Sequence, residues 1–149
     1  MKDIVVLDGV RTAIGTFGGS LSGTSPIELG SIVAKEALAR SGVEGKQVGN
    51  VVFGHVINTE PRDMYLSRAA SIAAGVPEKA PAMNVNRLCG SGLQAIVSAA
   101  QSLMLGDATM ALAGGSESMS RSPYIVPAIR WGQKMGDTGA TDMMLGALN

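Results

Sequence analysis

The feature that most constrains this chain is an alternation of short apolar runs with helical patterns. Runs at residues 4–7, 51–53, 82–85 and 110–113 are too short for helices and read as buried strands. Three helical segments separate them. The first is predicted from Ser25 as N-cap, Pro26 at the first helical position and Glu28 closing a capping box, with Gly42 as its stop. Leu29, Ile32, Val33 and Ala37 are its expected inner face. Residues 62–74 form a second helix ending at Gly75, with Pro77 beyond. A third covers residues 90–105, with Leu93, Ile96, Val97, Ala100 and Met104 on one face and Gly106 past its end. Strands alternating with helices imply an α/β fold, a mostly parallel sheet with helices on both faces.

Composition agrees. Apolar residues make up 46% of the 149 residues and aromatics 3%, which suits helices packed closely on a sheet better than an all-β design. The 12 basic and 12 acidic residues balance without a block of either sign, so nucleic acid is not an expected partner. One cysteine cannot form an internal disulfide, and a free thiol suits a reducing compartment. The N-terminus has no long apolar signal region, and no stretch near membrane-spanning length is expected. The expected location is the cytoplasm, without a membrane partner.

That cysteine, Cys89, stands in Asn86-Arg87-Leu88-Cys89-Gly90-Ser91-Gly92, between an apolar run and a helical pattern. Helix N-terminal amides favour a thiolate over a thiol, and glycines beyond the sulfur let a substrate carbonyl approach the backbone. A lone cysteine is also often a small buried hydrophobe. Local features leave both readings open.

The surrounding residues narrow the choice. Asn86 to Gly92 closely resembles the acylated-cysteine motif of thiolases, the acetyl-CoA acetyltransferase and 3-ketoacyl-CoA thiolase family. Arg11-Thr12-Ala13-Ile14-Gly15-Thr16-Phe17-Gly18-Gly19-Ser20-Leu21 is similar to the family's first loop, with Ala13 where proline is common. Val51-Val52-Phe53-Gly54-His55-Val56 resembles its second strand, and Gly114-Gly115-Ser116-Glu117-Ser118-Met119-Ser120 the segment after the cysteine helix. The blend is nearest bacterial biosynthetic β-ketothiolases, including those feeding polyhydroxyalkanoate synthesis.

The resemblance implies the N-terminal half of a thiolase fold: an α/β domain over residues 1–120, lacking its last strand, and the start of a tetramerisation loop excursion over residues 121–149. It implies acyl transfer through an acyl-cysteine at Cys89, whose N–H is a family donor to one oxyanion hole. Coenzyme A thioesters are then substrates, with acyl-CoA and CoA as small-molecule partners, no permanently bound cofactor, and a homodimer or homotetramer in the complete enzyme. The family's second cysteine and catalytic histidine have no counterpart in this sequence. His55 matches the second-strand block and reads as a strand-end or interface residue, not the base. If the chain stood alone, an apolar face and a sheet edge would be left open, and poor solubility is expected.

Other candidates resolve more simply. Residues 15–23 lack both a P-loop and a dinucleotide fingerprint and read as a structural loop. Arg11 either anchors a carboxylate or braces its loop. Glu117 reads as an acid bonded to nearby backbone N–H groups rather than a catalytic carboxylate. Met110, Met119, Met135, Met143 and Met144 read as gap fillers, with an acyl channel as the alternative for the last two. One Cys and one His far apart predict no metal site. The rival functions are a related ketosynthase and a non-catalytic assembly module.

Overall fold

The computed structural model describes residues 3–148. Its centre is a three-stranded parallel sheet of β1 (Asn50–Gly54), β2 (Ala82–Val85) and β3 (Ala111–Gly115), ordered β2-β1-β3. Val51 pairs with Ala82 on one side and Leu112 on the other. Strand alternation then sorts the side chains between two layers. Val51, Phe53 and Leu112 pack with Ile27, Ala34 and Leu38 of α1 (Pro26–Ser41) and with Leu66 of α2 (Leu66–Ala73). Val52, with Ala111 and Ala113 beside it, packs on Ala95 and Ala99 of α3 (Ser91–Leu105). The expected three-layer α/β arrangement is what the chain forms.

Helix α1 starts and stops where its signals lie. Ser25 Oγ accepts the Glu28 N–H at 3.2 Å, Pro26 opens the helix, and Gly42 closes it in the left-handed region. Its buried face is rotated from the expected one. Ile27, Gly30, Ser31, Ala34 and Leu38 are buried, Ile32 is exposed, and Leu29, Val33 and Ala37 are half-buried. The second predicted helix is divided, with a 3₁₀ turn over Pro61–Tyr65 leading into α2.

Two further expectations fail. Residues 4–7 form no strand, and Val5 and Val6 are 72% and 81% exposed. The sheet ends at β2 and β3, and the segment borders a groove of about 870 Å³ beside α1, α3 and β3 without pairing to either edge strand. Helix α3 occupies the expected residues but buries Ser91, Ala95, Ala99 and Ser102, leaving Leu93, Ile96, Val97 and Met104 exposed. The cause is close approach. A Cβ on Gly54 would lie 2.5 Å from the Ser91 carbonyl carbon, so only small residues fit between α3 and the sheet. The stretch Leu88–Leu105 is also more apolar than expected. With mean hydropathy 1.3 over 18 residues it is long and apolar enough, by those criteria alone, to cross a membrane. Its small face packed on the sheet identifies it as a layer of this fold.

Beyond β3 the chain forms a short antiparallel pair, β4 (Tyr124–Ile125) with β5 (Thr141–Asp142), then α4 (Met143–Leu148).

Candidate functional site

All three parallel strands point their carboxyl ends to one edge, where ligands of open α/β sheets gather. The loop leaving β2 at that edge carries Cys89. Asn86 Oδ1 accepts the Leu88 N–H at 3.0 Å, and Arg87 O accepts the Gly90 N–H at 3.1 Å. Leu88 O accepts the Ser91 N–H at 3.0 Å. The result is a tight turn from strand to helix. Leu88, at φ 49°, is the only non-glycine residue with positive φ among those described. Holding a leucine there costs about 1–2 kcal/mol, which the turn's hydrogen bonds offset. Cys89 follows directly and is exposed, so the buried-hydrophobe reading does not hold. Arg87 donates to Gln94 Oε1 at 2.6 Å, and Gln94 donates on to Ser98, tying the loop to the first turns of α3.

A second cluster lies at the end of β1. His55 is buried and its Nδ1 is 2.8 Å from the Ser116 carbonyl, so Nδ1 donates. Nε2 has no hydrogen-bond partner among the described residues and stands 3.9 Å from Asp63 Oδ2. Asp63 is fully buried; its Oδ2 accepts the Thr59 N–H at 2.7 Å, the Thr59 hydroxyl at 2.8 Å and the Glu60 N–H at 3.1 Å. Glu117 accepts the Val56 and Ile57 N–H groups at 2.9 and 3.1 Å, the backbone-bonded role expected of it. The two carboxylates face different nitrogens of the ring, and no group of three His, Cys, Asp or Glu among the described residues is placed to hold a metal ion. His55 therefore makes its contacts with Ser116, Asp63 and Glu117 rather than with Cys89. It also lines a pocket of about 230 Å³ with Asn58, Asn84 and Asn86, the last at the base of the cysteine loop.

No local sequence motif marks Asp63. Pro61 two residues before it, opening a 3₁₀ turn, was the available signal. The remaining candidates fall outside the cysteine loop. Residues 15–23 form turns braced by Ser120 and Arg121, the Arg11 side chain donates to the neighbouring Thr12 carbonyl, and Met135 is 90% exposed.

These features define an α/β chain that presents one thiol on a strand-to-helix turn at the carboxyl edge of a parallel sheet. The description "Thiolase, N-terminal domain" matches residues 4–148, and the chain belongs to that family. Among curated relatives it is 65% identical to "Beta-ketothiolase BktB" of Cupriavidus necator over 148 residues, covering 99% of this chain and 38% of the relative. It is 45% identical to an acetyl-CoA acetyltransferase of the same organism, covering 97% and 37%. The chain thus spans little more than a third of these relatives' length. Among solved structures, the Bacillus anthracis acetyl-CoA acetyltransferase superposes with TM-score 0.91 at 40% identity, covering 97% of this chain and 36% of that one. Human mitochondrial 3-ketoacyl-CoA thiolase in complex with CoA superposes with TM-score 0.89 at 37% identity, covering 93% and 35%. The fold is the N-terminal half of the thiolase fold.

Proposed function

We propose that this chain carries the acyl-accepting part of a thiolase site, with Cys89 as the nucleophile. The observation behind the reading is the exposure of that thiol on a strained strand-to-helix turn at the ligand-binding edge of the sheet. The Cys89 sulfur attacks a thioester carbonyl, a new carbon–sulfur bond forms, and the bond from the acyl carbon to the CoA sulfur breaks. CoA leaves as its thiol, the proton coming from Cys89 through a base. The reaction class is reversible condensation of acetyl-CoA with an acyl-CoA to a β-ketoacyl-CoA, or its thiolytic cleavage, in fatty acid or polyhydroxyalkanoate metabolism. The base and the second thiol of the family belong to blocks without a counterpart in these residues. In this reading residues 1–120 are the α/β domain, residues 121–149 begin the loop excursion, and the working enzyme is a cytoplasmic homotetramer.

The rival is a non-catalytic packing module, favoured by the engagement of His55 in contacts away from Cys89. Intact-mass spectrometry of the natively produced protein with acetyl-CoA separates the two. We expect an acetyl adduct that Cys89→Ala abolishes. A folded protein that never acylates refutes the catalytic reading.

A further inference from the structure

We propose that Ser91 is a positioning residue for acyl transfer, its hydroxyl setting the Leu88–Cys89 peptide plane so that the Cys89 N–H faces the acyl oxygen. This rests on the acyl-acceptor reading of Cys89. Ser91 is 5% exposed and opens α3. A serine at a helix start ordinarily accepts from N–H groups further along the helix. Here the hydroxyl turns back into the loop. It accepts the Arg87 N–H at 2.9 Å and donates to the Leu88 carbonyl at 2.6 Å. The Ser91 N–H donates to the same carbonyl at 3.0 Å. One residue thus supplies two donors to one oxygen.

That oxygen belongs to the peptide whose N–H is Cys89's. No cis peptide occurs among the described residues, and in a trans peptide the carbonyl and the following N–H point in opposite directions. Pinning the carbonyl against Ser91 therefore turns the Cys89 N–H outward, away from the helix. Attack of the thiol on a thioester builds negative charge on the acyl oxygen, and a fixed N–H aimed there stabilises it without reorganising. The bond from Asn86 restrains only the Leu88 N–H, one peptide earlier. Without the Ser91 hydroxyl, Leu88 is freer to leave its left-handed conformation, and the Cys89 N–H swings with it.

The test compares wild type, Ser91→Ala and Ser91→Thr in the natively produced protein. Two rates at Cys89 are followed by intact mass: acetylation by acetyl-CoA and alkylation by iodoacetamide. Alkylation builds no oxyanion, so it needs the sulfur but not the aimed N–H. We expect Ser91→Ala to slow acetylation by roughly tenfold to a hundredfold, less than the full loss of one oxyanion donor. Alkylation should change by less than about threefold, because the sulfur remains exposed. Ser91→Thr, which keeps the hydroxyl, should restore most of the acetylation rate. Equal loss of both rates in Ser91→Ala, or failure of Ser91→Thr to recover acetylation, would mean a general disturbance of the loop and would overturn the proposal. Unchanged acetylation in Ser91→Ala would also overturn it while leaving the role of Cys89 intact. A wild-type protein that alkylates but never acetylates would instead remove the acyl-acceptor reading itself, and this inference with it.

Discussion

Replacing Gly54 by alanine tests the close backbone approach between β1 and the start of α3. The added methyl carbon would lie 2.5 Å from the Ser91 carbonyl carbon, 2.6 Å from the Gly92 nitrogen and 2.7 Å from the Ser91 oxygen. Ordinary carbon contacts fall at about 3.5–4.0 Å, so strand and helix must separate by about 1 Å. All three neighbours are backbone atoms, and no side chain can rotate aside to make room. Separation also loosens the packing of Ala95 and Ala99 on Val52. Overpacking a fitted interior costs about 1–3 kcal/mol, and we place this case at about 2–3 kcal/mol because only backbone can yield. For a chain of this size that lowers the melting temperature by about 5–10 °C. The assay is thermal unfolding followed by circular dichroism, beside Gly23→Ala, where an added Cβ meets nothing within 4 Å. The control should hold or slightly gain stability through its less flexible unfolded chain. A Gly54→Ala protein that melts with wild type would refute the idea that β1 and the start of α3 are in backbone contact.

Two other outcomes follow from the same geometry. Asp63→Ala removes the acceptor of the Thr59 N–H, Thr59 hydroxyl and Glu60 N–H, and should destabilise by about 2–4 kcal/mol in urea unfolding; a loss below about 0.5 kcal/mol would contradict that role. Across the β4–β5 pair, the Asp142 carboxylate holds the Tyr124 phenol above its ordinary value of 10.0 by hydrogen bonding and charge. A raised phenol keeps its proton better folded than unfolded, so its contribution is complete below pH 10 and fades as pH rises past the folded value. Tyr124→Phe should flatten that alkaline loss in a stability-against-pH series, and an unchanged slope would show that the pair does not govern it.

What the sequence could and could not reveal divides along physical lines. Ser25, Pro26 and Gly42 act within a few residues of themselves, so the bounds of α1 were legible. The strands at 51–53 and 82–85 were legible because apolar runs of that length have few other uses. Residues 4–7 misled because an apolar run declares a need for burial but not a hydrogen-bonding partner, and the segment borders the groove beside β3 without pairing to it. The inner face of α3 misled for a different reason. Large apolar residues mark the face that gains most from burial, yet the backbone distance at Gly54 admits only Ser91, Ala95, Ala99 and Ser102. The strand-to-helix setting of Cys89 was legible from its neighbours, since the turn that presents it is local. The cluster of His55, Asp63 and Glu117 could not, because the contact of His55 with Ser116 spans 61 positions and no local pattern encodes it.

Glu117 has one more consequence for the edge of the sheet where Cys89 sits. The successive N–H groups of Val56 and Ile57, emerging past the end of β1, form the kind of paired-amide cradle that binds phosphate or carboxylate groups from solution. The Glu117 side chain fills that cradle from within. An anion from solution is therefore denied that cradle, because the carboxylate seated in it already takes both N–H groups.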